Sequence, residues 1–173
     1  MLDIAFKYEE ELKENLINTW YDDKYKFYWA SSYHSFYSCP KDSDGDWDIR
    51  QFVSLDSEGN ILGLIEYGIS RDKDLVSYFG AINFSDNKVI FGMDLKQVLD
   101  DIFCKFNFRK IEFSVVVGNP VEKSYDKLIE KYNGHIIGIM HKHVKLIDNQ
   151  YYDEKLYEIF REDYINVKEN RHE

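Results

Sequence analysis

The sequence predicts one α/β layer structure built on a mixed sheet. Three observations carry that expectation. Strand-like runs and amphipathic stripes follow the order helix, several strands, helix, strand, helix, two strands. The run KIEFSVVV, residues 110–117, is apolar enough for a strand covered on both faces. It stops at Gly118-Asn119-Pro120, where a helix with one apolar side opens at once.

Each element has a local reason. Ile4, Tyr8, Leu12, Leu16 and Trp20 recur every four residues and define the inner face of a first helix. YKFYWASS, residues 25–32, is aromatic-rich and reads as a strand. Residues 38–48 (SCPKDSDGDWD) read as an acidic loop. The runs at 50–56 and 61–69 flank Ser-Glu-Gly-Asn and predict a hairpin. Residues 75–84 form a further strand. Leu95, Val98, Leu99, Ile102, Phe103 and Phe106 give a helical stripe, with Asp94 and Gln97 placed as a capping box at its start. After the strand at 110–117, Asn119 is a cap, Pro120 suits the first helical position, and Glu122 completes a second capping box. Val121, Tyr125, Leu128, Ile129 and Tyr132 form the buried side of that helix, which Asn133-Gly134 ends. Residues 135–146 and 151–160 read as an antiparallel hairpin about Asp148-Asn149, and the polar tail from Arg161 onward is expected to be loosely held. One domain over residues 1–165, with a polar tail at 166–173, is the resulting organisation.

Composition narrows the function classes. The 173 residues can bury a real core, and 44% hydrophobic with 17% aromatic residues excludes the disordered class. A net charge of −10 argues against nucleic acid, whose phosphates need a clustered basic face. It favours cationic partners mildly, and it also suits an ordinary acidic cytosolic protein. Cys39 and Cys104 form no C-x-x-C pair, so a reducing cytoplasm is expected. No signal peptide and no membrane span are expected.

The layout, together with Asn119 followed by Tyr125, and Asp153, Tyr157 and Glu162-Asp163-Tyr164 at the close, resembles the GNAT N-acetyltransferase superfamily over residues 61–164. The resemblance implies a mixed, largely antiparallel sheet with helices on both faces, in which the strands at 75–84 and 110–117 splay apart. It implies acetyl-CoA as co-substrate, its pantetheine chain paired with exposed backbone of one strand. The expected cofactor contacts are Ile82, Asn83, Phe84, Lys88, Gly92, Asn119 and Tyr132. The family's glycine-rich phosphate loop corresponds here to residues 85–94, which carry one glycine, Gly92. Asp94 sets a negative charge there, and Lys88 is available to compensate it.

The implied reaction is direct acetyl transfer to an amine in a ternary complex, with a small molecule or a protein N-terminus as acceptor. The alternative is a module of the same fold that binds a ligand or protein without catalysis. Tyr125 matches the family's proton donor to the leaving thiolate, since a phenol with pKa near ~10 stays protonated at neutral pH. It equally suits a core tyrosine, and Tyr132 is a rival donor. Glu66, charged within the apolar run ILGLIEYGI, is either the base that takes the amine proton or a paired surface carboxylate. His141 and His143 share a strand face without a third ligand, so no metal is expected. His34 lies among aromatics as a further substrate contact or a surface histidine. The aromatic-rich early segment serves either a homodimer or the core.

Overall fold

The computed structural model of the protein describes residues 1–20, 22–28 and 48–170. A seven-stranded sheet dominates it, in the order β1-β2-β3-β4-β5-β7-β6. The strands are β1 (Leu2–Ile4), β2 (Ile49–Leu55), β3 (Ile61–Ser70), β4 (Leu75–Asn83), β5 (Lys110–Val116), β6 (His135–Lys145) and β7 (Tyr151–Phe160). Among the described residues four α-helices accompany them: α1 (Glu9–Asn18), α2 (Lys88–Asp100), α3 (Glu122–Lys131) and α4 (Arg161–Glu169). Every neighbouring pair is antiparallel except β4–β5. Among the described residues no helix is long and apolar enough to cross a membrane.

The sheet separates two cores. On one face α1 buries Leu12 and Leu16 against Val53, Leu55, Leu64 and Ile82. On the other, α2 with the π-helical turn Asp101–Lys105 that continues it, α3 and α4 pack Phe91, Val98, Phe103, Tyr125 and Tyr164 against Ile65, Phe113 and Tyr157. Strand alternation assigns successive residues to these two faces. The β2–β3 hairpin forms as expected, with the Asp56 carboxylate accepting the N–H groups of Glu58 and Asn60 and Gly59 at φ +92°.

Several expectations are corrected. The first helix starts at Glu9, not at Ile4. Residues 2–4 instead pair with β2, Leu2 opposite Ser54, and Ile4 is exposed. Of residues 25–32, those described do not form a strand. Asp22 caps a short 3-10 turn at Asp23–Tyr25, and Tyr25 and Tyr28 bring their rings to the α1-side core from that turn. Residues 29–32, the acidic loop up to Trp47, Cys39 and His34 lie outside the described residues. α2 begins six residues before the expected Asp94, because Asn87 accepts the Ile90 N–H and caps it earlier. The polar tail holds a helix, α4. Tyr164, with 0% exposure, stacks 4.6 Å from Phe103 and 4.3 Å from Tyr132 and donates to Asp100 at 3.0 Å. One aromatic side chain anchors a segment that is otherwise polar.

Candidate active site

β4 and β5 start side by side and then part. Only Leu75 with Lys110 and Val76 with Ile111 are in register. β3 follows β4 as far as Asn83, and β7 follows β5 as far as Val116. The facing edges therefore carry unpaired backbone groups on both sides of a gap. A bulge helps to open it. Glu66 faces Gly80 and Gly68 faces Ser77, so Tyr78 and Phe79 together oppose Tyr67 alone. Tyr78 takes the left-handed conformation, φ 51°, and its ring is 87% exposed.

The hydrogen-bond phase identifies which amides face the gap. Phe84 donates its N–H to the Leu62 carbonyl, so Phe84 and Ile82 bond to β3, while Ala81 and Asn83 turn to the gap. Val117 donates to Asp153, so Ser114 and Val116 are the gap-facing residues of β5. Of the three predicted strand contacts, Asn83 alone offers free backbone. The Ile82 side chain is buried in the α1-side core, and the Phe84 carbonyl accepts the Tyr25 hydroxyl at 3.3 Å. The gap opens into a cavity of about 870 Å³ whose walls include Ser77, Tyr78, Phe79, Phe113, Ser114 and Tyr157. That volume falls in the range of ligand pockets.

Two helix N-termini flank the open end, each following one of the parted strands, as expected for a crevice beyond the carboxyl ends of parallel strands. Lys88 and Gly92 are not loop residues. They belong to the first turns of α2, Lys88 exposed and Gly92 with open space where a Cβ would stand. The negative charge of Asp94 is directed elsewhere. Its carboxylate accepts the Ser54 hydroxyl at 2.7 Å and lies 3.1 Å from the Met1 amino group. The helix N-terminus is thus open to an anion, with Lys88 beside it.

At β5 the strand ends on Gly118, φ +92°, whose N–H goes to the Glu122 carboxylate at 3.0 Å. The Asn119 side-chain oxygen accepts the Val121 N–H at 3.0 Å. Its NH2 group has no partner among the described residues. The capping expectation is corrected: α3 starts at Glu122 with Val121 as its N-cap and no side-chain cap bond, Glu122 reaches Gly118 rather than Asn119, and Asn119 holds the turn before the helix and keeps two donors for a ligand.

Tyr125 projects from α3 into the core, its ring 5.1 Å from Phe113 and 6.2 Å from Tyr157, both edge-on. Its hydroxyl has no hydrogen-bond partner among the described residues, and burial pushes the phenol up to about 12. Tyr157 is the residue that sequence reasoning passed over as a site. It stacks on Phe113 and lines the cavity, its hydroxyl donating to Asp126 at 2.8 Å. Burial, and then the Asp126 carboxylate, push it to about 12. Period-2 alternation in YYDEKLYEIF was the available signal, since it puts Tyr157 on the face of Phe113. Tyr132 stands away from the gap, stacked on Tyr164, and contributes to the core.

Glu66 lies on the opposite, α1, side of the sheet. Its carboxylate accepts Gln51 Nε2 at 2.9 Å. It leans over Gly80, where a Cβ would stand 3.6 Å from Glu66 Oε1. The bare backbone of Gly80 leaves room for that carboxylate over β4. His141 and His143 pair with Asp153 and Glu154 at 2.9 and 3.6 Å. Among the described residues no group of three or more His, Cys, Asp or Glu is placed to hold a metal ion.

Solved structures resemble this arrangement. Spermidine N-acetyltransferase from Vibrio cholerae in complex with CoA and spermine superposes with a TM-score of 0.76, at 21% identity, over 96% of this chain and 98% of that one. The chain has the GNAT acetyltransferase fold. Spermidine/spermine N-acetyltransferase SpeG from Vibrio cholerae in complex with manganese ions matches with a TM-score of 0.71, at 22% identity, over 96% of this chain and 95% of the other. A chimera of the Vibrio cholerae enzyme and hSSAT gives 0.71 at 22%, over 96% and 99%. No protein-family model and no curated protein matches the sequence. The GNAT fold accounts for the sheet order, the single parallel pair and the placing of two helix N-termini at one crevice.

Proposed function

We propose that the protein is an acetyl-CoA-dependent N-acetyltransferase acting on a primary amine, with polyamines as the acceptor class. The observation that carries the proposal is the early parting of β4 and β5, which leaves unpaired backbone edges beside a cavity at the point where the strands divide, with a helix following each strand beyond its far end. The residues fit the co-substrate. The backbone of Ala81 and Asn83 pairs with the amides of the pantetheine arm, the NH2 of Asn119 donates to it, and the start of α2 with Lys88 receives the pyrophosphate. Acetyl-CoA supplies the acetyl group activated as a thioester.

The polypeptide then has three tasks. Holding amine and thioester together in one gap supplies most of the acceleration. Glu66, on the α1 side, takes the proton that the attacking nitrogen loses, through a water molecule. A buried phenol on the α3 side returns a proton to the departing thiolate, and Tyr125 is assigned that role. Tyr157 is the second reading, favoured by its place in the cavity wall. The assignment puts base and acid on opposite faces of the sheet, so protons enter and leave on different sides of the reacting carbon. Asp48, Asp72 and Glu112 line the cavity together with Arg71 and Lys73; Arg71 pairs with Asp48 at 3.1 Å and Lys110 with Glu112 at 2.6 Å, so the preference for a cationic acceptor draws on Asp72 and on the net charge of −10. The polyamine reading also draws on the spermine held by the Vibrio cholerae structure.

Thiol release from acetyl-CoA, followed with spermine, spermidine, putrescine and a peptide N-terminus, tests this. The expected result is amine-dependent release, fastest with a polyamine. Tyr125→Phe lowers kcat by about 10²-fold, the scale of general acid catalysis, and spares acetyl-CoA binding. Unchanged kcat in Tyr125→Phe with loss in Tyr157→Phe transfers the role to Tyr157. Acetyl-CoA binding without release by any amine would establish the non-catalytic module instead.

A further inference from the structure

A second cavity, of about 230 Å³, lies towards the β1 edge of the sheet, among β1, β2, β3 and α2. Phe52 and Val98 supply apolar wall, and Asp3, Tyr67, Gln97 and Asp101 supply the polar groups. Tyr67 is the informative one. It is 2% exposed, its ring lies 6.1 Å from Phe52, and its hydroxyl has no hydrogen-bond partner among the described residues. The hydroxyl oxygen is not sealed from solvent: it opens to the cavity, where an entering ligand can reach it. Burial pushes this phenol to about 12, the Asp101 carboxylate acts on it in the same sense, and both side chains line the cavity.

Asp101 is only partly used. One carboxylate oxygen accepts Gln97 Nε2 at 3.0 Å, and the other has no partner among the described residues. Asp3 is committed to Lys7 at 2.7 Å and to the Tyr8 hydroxyl at 3.1 Å. Arg50, directly across from Tyr67 on β2, opposes the effect of Asp101 on the hydroxyl but does not line the cavity. The cavity thus offers a free carboxylate oxygen, a free hydroxyl oxygen and apolar walls.

We propose that this cavity is a binding site for a small primary ammonium ion on a short aliphatic body. One N–H donates to the Asp101 carboxylate, a second to the Tyr67 hydroxyl oxygen, and the carbon chain lies against Phe52 and Val98. At the ~30 Å³ that a water molecule occupies in the liquid, the cavity holds on the order of seven heavy atoms, enough for a four- to six-carbon amine. The inference does not use the acetyl-transfer proposal, because no residue lines both cavities, although Tyr67 stands across β3–β4 from Tyr78 and Phe79 of the bulge.

Titration of the full chain with n-butylammonium chloride, followed by amide chemical shifts, tests it. Saturable shifts centred on Tyr67, Val98 and Asp101 are expected. Asp101→Asn should weaken them about tenfold, Tyr67→Phe should weaken them less, and n-butanol should bind more weakly than the ammonium. Asn119→Asp should leave them unchanged. The proposal is overturned if the shifts do not saturate, if they centre on the gap residues, or if Asp101→Asn binds as tightly as the parent. Should a variant lose its fold, the position of the shifts in the parent protein decides alone.

Discussion

Asn119 carries two jobs on one side chain, and substitution separates them. Asn119→Asp keeps an oxygen to accept the Val121 N–H, so the turn before α3 and the melting temperature should survive, whereas the NH2 donor is gone. Acetyl-CoA should then stabilise the variant less than the parent, whereas Asn119→Ala should also lose about 1 kcal/mol of folding stability. Thermal melts of all three proteins with and without acetyl-CoA check this. Equal stabilisation of Asn119→Asp and parent would reduce the residue to a turn former ahead of α3.

The charged cluster behind Tyr125 has a defined pH window. The Lys155 ammonium, 2.7 Å from Asp126, and then the Tyr157 hydroxyl hold the Asp126 carboxyl below its ordinary 3.8. Asp126 in turn holds Lys155 above its ordinary 10.5. A lowered carboxyl contributes stability above 3.8 that is lost as pH falls through its folded value. A raised ammonium contributes below 10.5 and loses its share as pH rises through its own folded value. The pair therefore works fully from about pH 4 to about pH 10. Asp126→Asn should lower stability by about 1 kcal/mol at neutral pH, since the pair is partly exposed, and this deficit should shrink as pH falls from about 5 to about 2. Urea denaturation across that range measures it, and a constant deficit would contradict the assignment.

At the scale of elements, the tightest fit is where β3, β4 and α2 meet. A Cβ on Gly63 would run into the Ile82 carbonyl and the Phe91 ring. Backbone on one side and a core aromatic on the other leave nothing flexible to yield. Gly63→Ala should cost about 1–3 kcal/mol and lower the melting temperature by roughly 2–10 °C. It should also weaken acetyl-CoA binding, because β4 and the start of α2 shift together. A melt indistinguishable from the parent would show that the packing there is loose.

The elements also show what the sequence could and could not reveal. The α3 stripe was legible because its burial follows one period, and the closing strands were legible from the turn between them although β6 buries none of its residues; β5 was legible as a strand, but it alternates, with Ser114 exposed, instead of being covered on both faces as expected. The start of α2 was not, since Asn87 and Asp94 are both good caps and only Phe91, reaching the core, chooses between them. β1 was missed because three residues carry too short a pattern, and their pairing with β2 is set by chain order in space. Helix α4 was missed because its hold depends on Tyr164 alone among fully buried side chains of that helix. At the site, Asn119 was legible from Gly-Asn-Pro. Tyr157 and Gly80 were not, because their importance lies in the gap, which only the assembled sheet defines.

For the whole molecule, the account predicts one sheet with two sides of different purpose. The α1 face, carrying Glu66, receives the amine, and the face of α2 and α3 receives the co-substrate. The seam between them is the stretch of β4 beyond Val76. Amide hydrogen exchange reads that seam residue by residue. Ile82 and Phe84 are already bonded to β3 and should exchange slowly with or without ligand, whereas Ala81 and Asn83 face the open gap and should exchange fast in the free protein. Saturating acetyl-CoA should slow Ala81 and Asn83 by at least about tenfold while leaving Ile82 and Phe84 nearly unchanged. No protection at Ala81 and Asn83 under saturating acetyl-CoA would contradict the claim that the parted strands form its binding site.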